Sequence, residues 1–286
     1  MVTTDLEEAA PVPGGQLRVR VRGDGVPVVF VHPALMNGHV WDDVLECTDG
    51  IRAVLPDLPL GAHSGSIEPD ADLTLPALAR MMVAVLDHLG IGEAIIVGND
   101  TGGAIAQQFV ADHPDRVAGL LLLSCDAFEN FPPRAFRWFP KVLQLPGAPW
   151  LVAQVMRAGP LRRLPIAFGR LVHRRLDHAE AERMMGPLWR SRANRRDLRR
   201  AAATMTPGLT LDLARRIEGF DRPVVIAWST DDPIFPPAHA DRLAALFPNG
   251  HVCAPIADSL ALSPLDQPAA VASALTQLLS LVAPAR

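Results

Sequence analysis

The chain has 286 residues, 49% of them apolar, and a formal net charge of −4. This length holds one large α/β domain or two smaller ones, and the apolar content is enough for a well-filled core. The mildly acidic balance excludes a general affinity for nucleic acid or for acidic membranes.

Residues 1–15 carry acids and prolines rather than a basic segment followed by an apolar one, so no secretory leader is expected. Residues 16–21 read as a first strand, with Gly23-Asp24-Gly25 as its turn. Residues 28–31 are a continuous apolar run between Pro27 and His32, the mark of a strand buried on both faces, and residues 51–55 read as a third strand. Apolar residues then recur at 75, 78, 82, 86 and 89, a helical stripe with Thr74 as cap, Pro76 in the first turn and Gly90 as stop. A β-type run from Ala94 enters Gly98-Asn99-Asp100-Thr101-Gly102 and passes straight into a helical pattern that ends near His113-Pro114. Residues 117–124 are another buried strand.

From Ala127 to about Phe220 the sequence is rich in Pro, Arg and Trp, with short amphipathic stretches and no strand pattern. Alternation resumes with a strand at 223–228, a helix at 237–247, a strand at 251–256 and a last helix at 268–282. Alternating strands and helices imply an α/β fold with a mostly parallel sheet flanked by helices. The expected division is a core formed by residues 1–126 and 221–286, with 127–220 as a helical cap inserted over the strand ends. Cys47, Cys125 and Cys253 are widely spaced, without disulfide or metal-ligand spacing, which suits a reducing compartment. No apolar run approaches the ~20 residues of a membrane span. A cytoplasmic monomer or homodimer acting on a small molecule, without metal or cofactor, is the expectation.

Gly-x-Asp-x-Gly between a buried strand and a helix has the spacing of a nucleophile elbow, in which the central side chain is pushed out above the sheet beside helix N–H groups. A carboxylate held there can attack an sp³ carbon and give an ester intermediate, or it can transfer protons. The plainer alternative is that Asp100 only caps the helix, since Asp is a good cap.

The order of motifs resembles the α/β-hydrolase superfamily over nearly the whole chain. Val29-Phe30-Val31-His32-Pro33-Ala34 is similar to its His-Gly oxyanion-loop segment, with Pro33 in place of Gly, and Pro56-Asp57-Leu58-Pro59 is similar to the segment after the next strand. An Asp elbow followed by Gly resembles the branch that holds haloalkane dehalogenases, fluoroacetate dehalogenases and epoxide hydrolases. The resemblance implies Asp100 as nucleophile and an oxyanion hole from the backbone N–H groups of Ala34 and Thr101. Trp228-Ser229-Thr230-Asp231-Asp232-Pro233 matches the segment that carries the triad acid, which aligns with Asp232. Asp231 is the choice of a one-residue slip, and Asp126 stands where some relatives place the acid.

The superfamily's histidine is expected seven residues before the proline of an acidic-x-Pro, and counting back from Pro268 in Asp266-Gln267-Pro268 lands on Ala261. No histidine follows His251. The triad is incomplete, so either another group supplies the base or the reaction needs no hydrolytic step. His39, after the oxyanion segment, is the leading substitute, with His173 and His178 as candidates from the insertion; each has a surface or packing role as its alternative. The chain has no tyrosine, which removes the cap acids that epoxide hydrolases of this type use. Thr101 replaces the Trp or Arg that dehalogenases of the branch carry after the nucleophile. Phe131, Phe136 and Trp138, with Phe139 and Trp150, are candidate walls of an apolar substrate pocket or simple core. The arginines from Arg190 to Arg200 read as solvated helix faces paired with Glu180, Glu182 and Asp197.

Overall fold

The computed structural model describes residues 5–253 and 255–282. Nine strands form one sheet: β1 (Asp5–Val12), β2 (Gly15–Arg22), β3 (Val26–Val31), β4 (Ile51–Pro56), β5 (Gly65–Ile67), β6 (Ala94–Asp100), β7 (Val117–Cys125), β8 (Val224–Ala227) and β9 (Gly250–Val252). Their order is β1-β2-β4-β3-β6-β7-β8-β9, with β5 paired to β2. From β4 to β9 every pairing is parallel, while β1, β2 and β5 add an antiparallel edge.

Burial follows this topology. In the antiparallel β2, Leu17, Val19 and Val21 are buried while the intervening Arg18, Arg20 and Arg22 pair with Glu7, Asp42 and Glu46 on the other face. In β7, Leu120 to Leu123 are all fully buried, because helices cover both faces of a parallel sheet. β1 falls in the segment read from sequence as acidic and proline-rich. It is a strand because it zips onto β2 from Val12↔Gly15 to Asp5↔Arg22 and buries Ala10 and Val12. The expected strand at 251–256 is shorter: β9 ends at Val252, followed only by a bridge from Ile256 to Ser229.

The helices are α1 (Asp42–Glu46), α2 (Leu75–His88), α3 (Thr101–Asp112), α4 (Phe139–Leu143), α5 (Ala148–Arg157), α6 (Gly159–Arg162), α7 (His178–Arg190), α8 (Arg192–Ala203), α9 (Pro207–Arg216), α10 (Ala238–Ala244), α11 (Ser263–Asp266) and α12 (Pro268–Val282). Helices α4 to α9 occupy the whole connection from β7 to β8, with no strand among the described residues there. Their ends are written locally: Asp177 and Glu180 form a reciprocal capping box at α7, and the Ser191 hydroxyl accepts from Asn194 N at α8. Helix α8 turns Leu198, Ala201 and Ala202 inward. Of its arginines, Arg196 lies against Asp197 and Arg200 near it, and Arg190 of α7 pairs with Glu182. Buried contacts tie this insertion to the sheet layer: Asn194 Nδ2 donates to His63 O (2.6 Å), Asn130 Nδ2 donates to Ile234 O (3.0 Å), and His63 Nε2 faces Asp197 Oδ2 at 3.4 Å.

The centre of the layout is the join of β6 to α3, where helix and sheet approach more closely than side chains allow. A Cβ on Gly102 would lie 2.1 Å from the Val31 carbonyl oxygen, and one on Gly98 would lie 2.7 Å from Gly103 Cα. Both obstacles are backbone, so neither can swing aside. Gly102→Ala is expected to lose about 3 kcal/mol in urea unfolding, at the upper end of overpacking costs. Gly92→Ala, where a new Cβ meets nothing within 4 Å, serves as control and stays within about 0.5 kcal/mol of the parent. Equal losses at the two positions would contradict this packing.

Candidate active site

Asp100 ends β6 and caps α3 with φ 54° and ψ −128°. A non-glycine residue occupies that region only when the surroundings enforce it, at roughly 1–3 kcal/mol. The result is a carboxyl group lifted off the sheet at the start of a twelve-residue helix. Its Oδ1 accepts from Thr101 N at 2.5 Å and from the Thr101 hydroxyl at 2.9 Å. Burial nevertheless pushes the Asp100 carboxyl above its ordinary range, with the Thr101 bonds pulling the other way. Asp100 does cap α3, as the plainer reading had it, but the cap is formed on strained backbone at the floor of a cavity.

That cavity, about 100 Å³, lies between the strand ends and the insertion. Its floor holds Ala34, Asp100, Thr101 and Asp126, and its walls include Phe131, Phe136, Phe168 and Met205. With two roles open to Phe131 and Phe136, wall or simple core, both residues line this cavity. Trp138 is not a wall: it is 40% exposed, its Nε1 donates to Ala135 O, and its ring packs between Phe136 and Phe139. Trp150 is 56% exposed on α5. The segment after β3 turns at Leu35, whose φ is 69° and whose N–H donates to Leu60 O at 3.0 Å. His32 is buried between two backbone groups, with Nε2 accepting from Leu58 N (2.9 Å) and Nδ1 2.8 Å from Pro33 O. Burial lowers its pKa, so it is a neutral strut joining the segment after β3 to the Pro56-Asp57-Leu58-Pro59 turn.

Two further carboxyls gather behind Asp100. Asp126, directly after β7, is 1% exposed, and its Oδ1 has no hydrogen-bond partner among the described residues. Burial and the neighbouring Asp100 charge push its pKa well up, with the Thr101 side chain pulling the other way. Asp232 is 6% exposed and accepts from Ile234 N (2.7 Å) and Phe235 N (3.1 Å) through Oδ1. Burial raises it to about 7 in spite of those bonds and one from the Ser124 side chain, and Asp100 adds to the rise. Asp231, by contrast, is a half-exposed surface group 3.7 Å from His173 Nε2. Cys125, between the carboxyls, stays a thiol, its pKa driven far up by burial and by the three charges.

None of the histidines proposed from sequence reaches this cavity. His39 lies in a short 3-10 turn at Gly38–Trp41, where its Nδ1 contacts Asp42 Oδ2 at 2.9 Å; the spacing that recommended it places it against α1 instead. His173 faces Asp231 at the surface, and His178 is exposed at the start of α7. The position expected for the superfamily's histidine holds Ala261, which is fully buried and accepts from Asn99 Nδ2 at 2.8 Å. The same Asn99 Nδ2 donates to Ser124 O at 2.9 Å, so a side chain adjacent to the elbow fixes the loop that would carry the imidazole. Asp266 anchors the far end of that loop, accepting from Leu260 N, His173 N and Arg174 N. Asn99 was unremarked in the sequence, where nothing marks a buried strand-end amide as a brace. Among the described residues, no group of three or more His, Cys, Asp or Glu side chains is arranged to hold a metal ion.

Comparison with known proteins agrees with this architecture. The model of the alpha/beta hydrolase fold family matches residues 26–259, and the chain belongs to that family. It is 27% identical over 214 residues to a poly(3-hydroxyalkanoate) depolymerase of Ectopseudomonas oleovorans, covering 71% of this chain and 69% of that protein. Of other curated relatives it matches, the chain covers 41% of a putative non-heme haloperoxidase of Mycobacterium phage D29 and 36% of lipase LipV of Mycobacterium tuberculosis. An esterase structure from Thermogutta terrifontis superposes with TM-score 0.73 at 24% identity, covering 98% of this chain and 99% of that one. Haloalkane dehalogenase DbeA from Bradyrhizobium elkani superposes with TM-score 0.75 at 18% identity, covering 97% and 99%. The family contains hydrolases, and no helix among the described residues is long and apolar enough to cross a membrane.

The Asp232 shift fixes a direction in stability. Its folded-state pKa of about 7 exceeds the ~3.9 of an unfolded Asp, so the unfolded chain gives up the proton first as pH rises. The stabilising contribution is complete below pH ~4 and is lost as pH climbs to about 7, on the order of 4 kcal/mol. Asp232→Asn is expected to lose measurably less stability than the parent between pH 4 and pH 8 in urea titrations. Parallel curves for the two proteins would show that Asp232 ionises freely.

Proposed function

We propose that the chain is a hydrolase-family enzyme acting on a small, largely apolar molecule. The Asp100 carboxylate attacks an sp³ carbon, forms an ester, and is released by water without help from histidine. The observation that carries this reading is the Asp100 backbone at φ 54°, which holds a carboxyl at the floor of a cavity whose walls are mostly apolar. A helix cap needs neither the strained backbone nor the cavity. On this reading the Thr101 N–H that now bonds Asp100 Oδ1 polarises the ester carbonyl, and with the Ala34 N–H it receives the oxyanion when water adds. Residues 127–220 act as the cap that excludes solvent, with Phe131 and Phe136 against the substrate. Asp232 is the buried carboxyl behind the nucleophile, at the place where relatives carry the triad acid.

A second reading, non-hydrolytic proton transfer by Asp100 as in a lyase, isomerase or cyclase, is favoured by one observation: among the described residues, no imidazole lines the cavity. The two readings separate by intact mass. Incubation with 1-bromohexane is expected to add one alkyl group to the parent at Asp100 and none to Asp100→Asn, whose turnover falls at least about 1,000-fold while its unfolding curve is unchanged. Turnover of a substrate without any adduct, and without ¹⁸O from labelled water in the product after many cycles, would establish the second reading.

A further inference from the structure

Among the described residues, the cavity walls contain only two ionisable side chains, Asp100 and Asp126, and one other polar side chain, Thr101. If Asp100 is spent as nucleophile, any proton the reaction moves within the cavity has one remaining titratable carrier. We infer that Asp126 is that carrier: a catalytic acid that protonates a leaving oxygen and then, as carboxylate, serves as the base for water. This rests on the nucleophile role of Asp100 and deepens it by specifying the leaving atom.

Three observations support the assignment. Asp126 follows β7 directly, its backbone N–H donates to Asp100 O at 3.3 Å, and it lines the same cavity as Asp100. Its Oδ1 is buried without a hydrogen-bond partner among the described residues, and an unused polar atom in such a place has reason to await a ligand. The Thr101 hydroxyl donates its one proton to Asp100 Oδ1 at 2.9 Å, and the same side chain is near enough to Asp126 to act on its carboxyl. Two carboxyls sharing one dry site do not both ionise near neutral pH. Thr101 gives Asp100 two donors, so Asp100 keeps the charge and Asp126 the proton.

A departing halide takes no proton, whereas a departing alkoxide needs one. The absence of tyrosine from the whole chain leaves that duty without the phenol that would otherwise fit it. With an apolar epoxide as probe the balance closes. An Asp100 oxygen bonds to the ring carbon, the C–O bond breaks, and the ring oxygen takes the proton from the Asp126 O–H. Water then adds to Asp100 Cγ and gives one proton to the Asp126 carboxylate. The second proton goes to the departing alkoxide oxygen, which restores an ionised Asp100 and a protonated Asp126.

The test uses the full chain with 1,2-epoxyhexane and 1-bromohexane, following adduct formation at Asp100 by intact mass. Asp126→Asn is expected to slow epoxide opening at least 100-fold, the scale of general-acid help, with a much smaller effect on alkylation by bromohexane, and Asp126→Glu is expected to recover part of the loss. In the parent, opening of the epoxide should show a normal solvent deuterium effect that bromohexane does not, a readout that needs no folded variant. Equal losses with both probes, or epoxide opening at the parental rate in Asp126→Asn, would overturn the role of Asp126. Alkylation by bromohexane without epoxide opening in the parent would also overturn it, while leaving Asp100 as nucleophile. No adduct from either probe would instead refute the nucleophile reading beneath it.

Discussion

The site depends on one steric constraint, the contact of the first turn of α3 with the end of β3. Gly102 sits so near the Val31 carbonyl that the chain must leave β6 abruptly, and Asp100 absorbs the bend with its backbone at φ 54°. Everything chemical follows from that bend. It turns a strand-end carboxyl into one that faces a cavity, sets Thr101 N–H and hydroxyl against it, and brings the ends of β7 and β8 close enough for their own carboxyls to feel its charge.

The electrostatics of the resulting cluster are unusual for a buried site. Asp100, Asp126 and Asp232 lie together; burial raises all three above the ordinary carboxylate range, and the Asp100 charge adds to the rise at Asp126 and Asp232. Buried like charges are expensive, and the physical outcome is retained protons rather than three carboxylates. Such a cluster suits chemistry that stores a proton and releases it to a substrate, provided that water is kept out by the insertion. The same cluster carries a stability penalty above neutral pH, the kind of local compromise that functional sites accumulate.

Much of this was legible in the sequence, for identifiable reasons. The apolar runs at β3, β6 and β7 are continuous because the sheet is covered on both faces, and the Gly-x-Asp-x-Gly spacing records the close approach of helix to strand. That Ala261 stands where a histidine was expected could be read from the sequence, since the Asp266-Gln267-Pro268 signal gave a register to count from. Strand β1 was hidden because its identity lies in its pairing with β2 rather than in its acids and prolines. His39 was misplaced because adjacency in sequence to the oxyanion segment does not tell which way a 3-10 turn points its side chains, and here Asp42 captures the imidazole. Trp138 is neither wall nor core for a related reason: an aromatic-rich stretch does not tell which ring faces outward, and here Trp138 packs between Phe136 and Phe139 at the surface. The brace formed by Asn99 between Ser124 and Ala261 depends on long-range contact alone.

The central claim is that water regenerates Asp100 by attacking its own carboxyl carbon. A single turnover in H₂¹⁸O, with excess enzyme, followed by mass analysis of the peptide containing Asp100, reads this directly. The account requires ¹⁸O in the Asp100 carboxylate and unlabelled oxygen in the first product. Label in the product and none in Asp100 would mean that water meets the substrate itself, and that the carboxylate raised at this bend serves some other end.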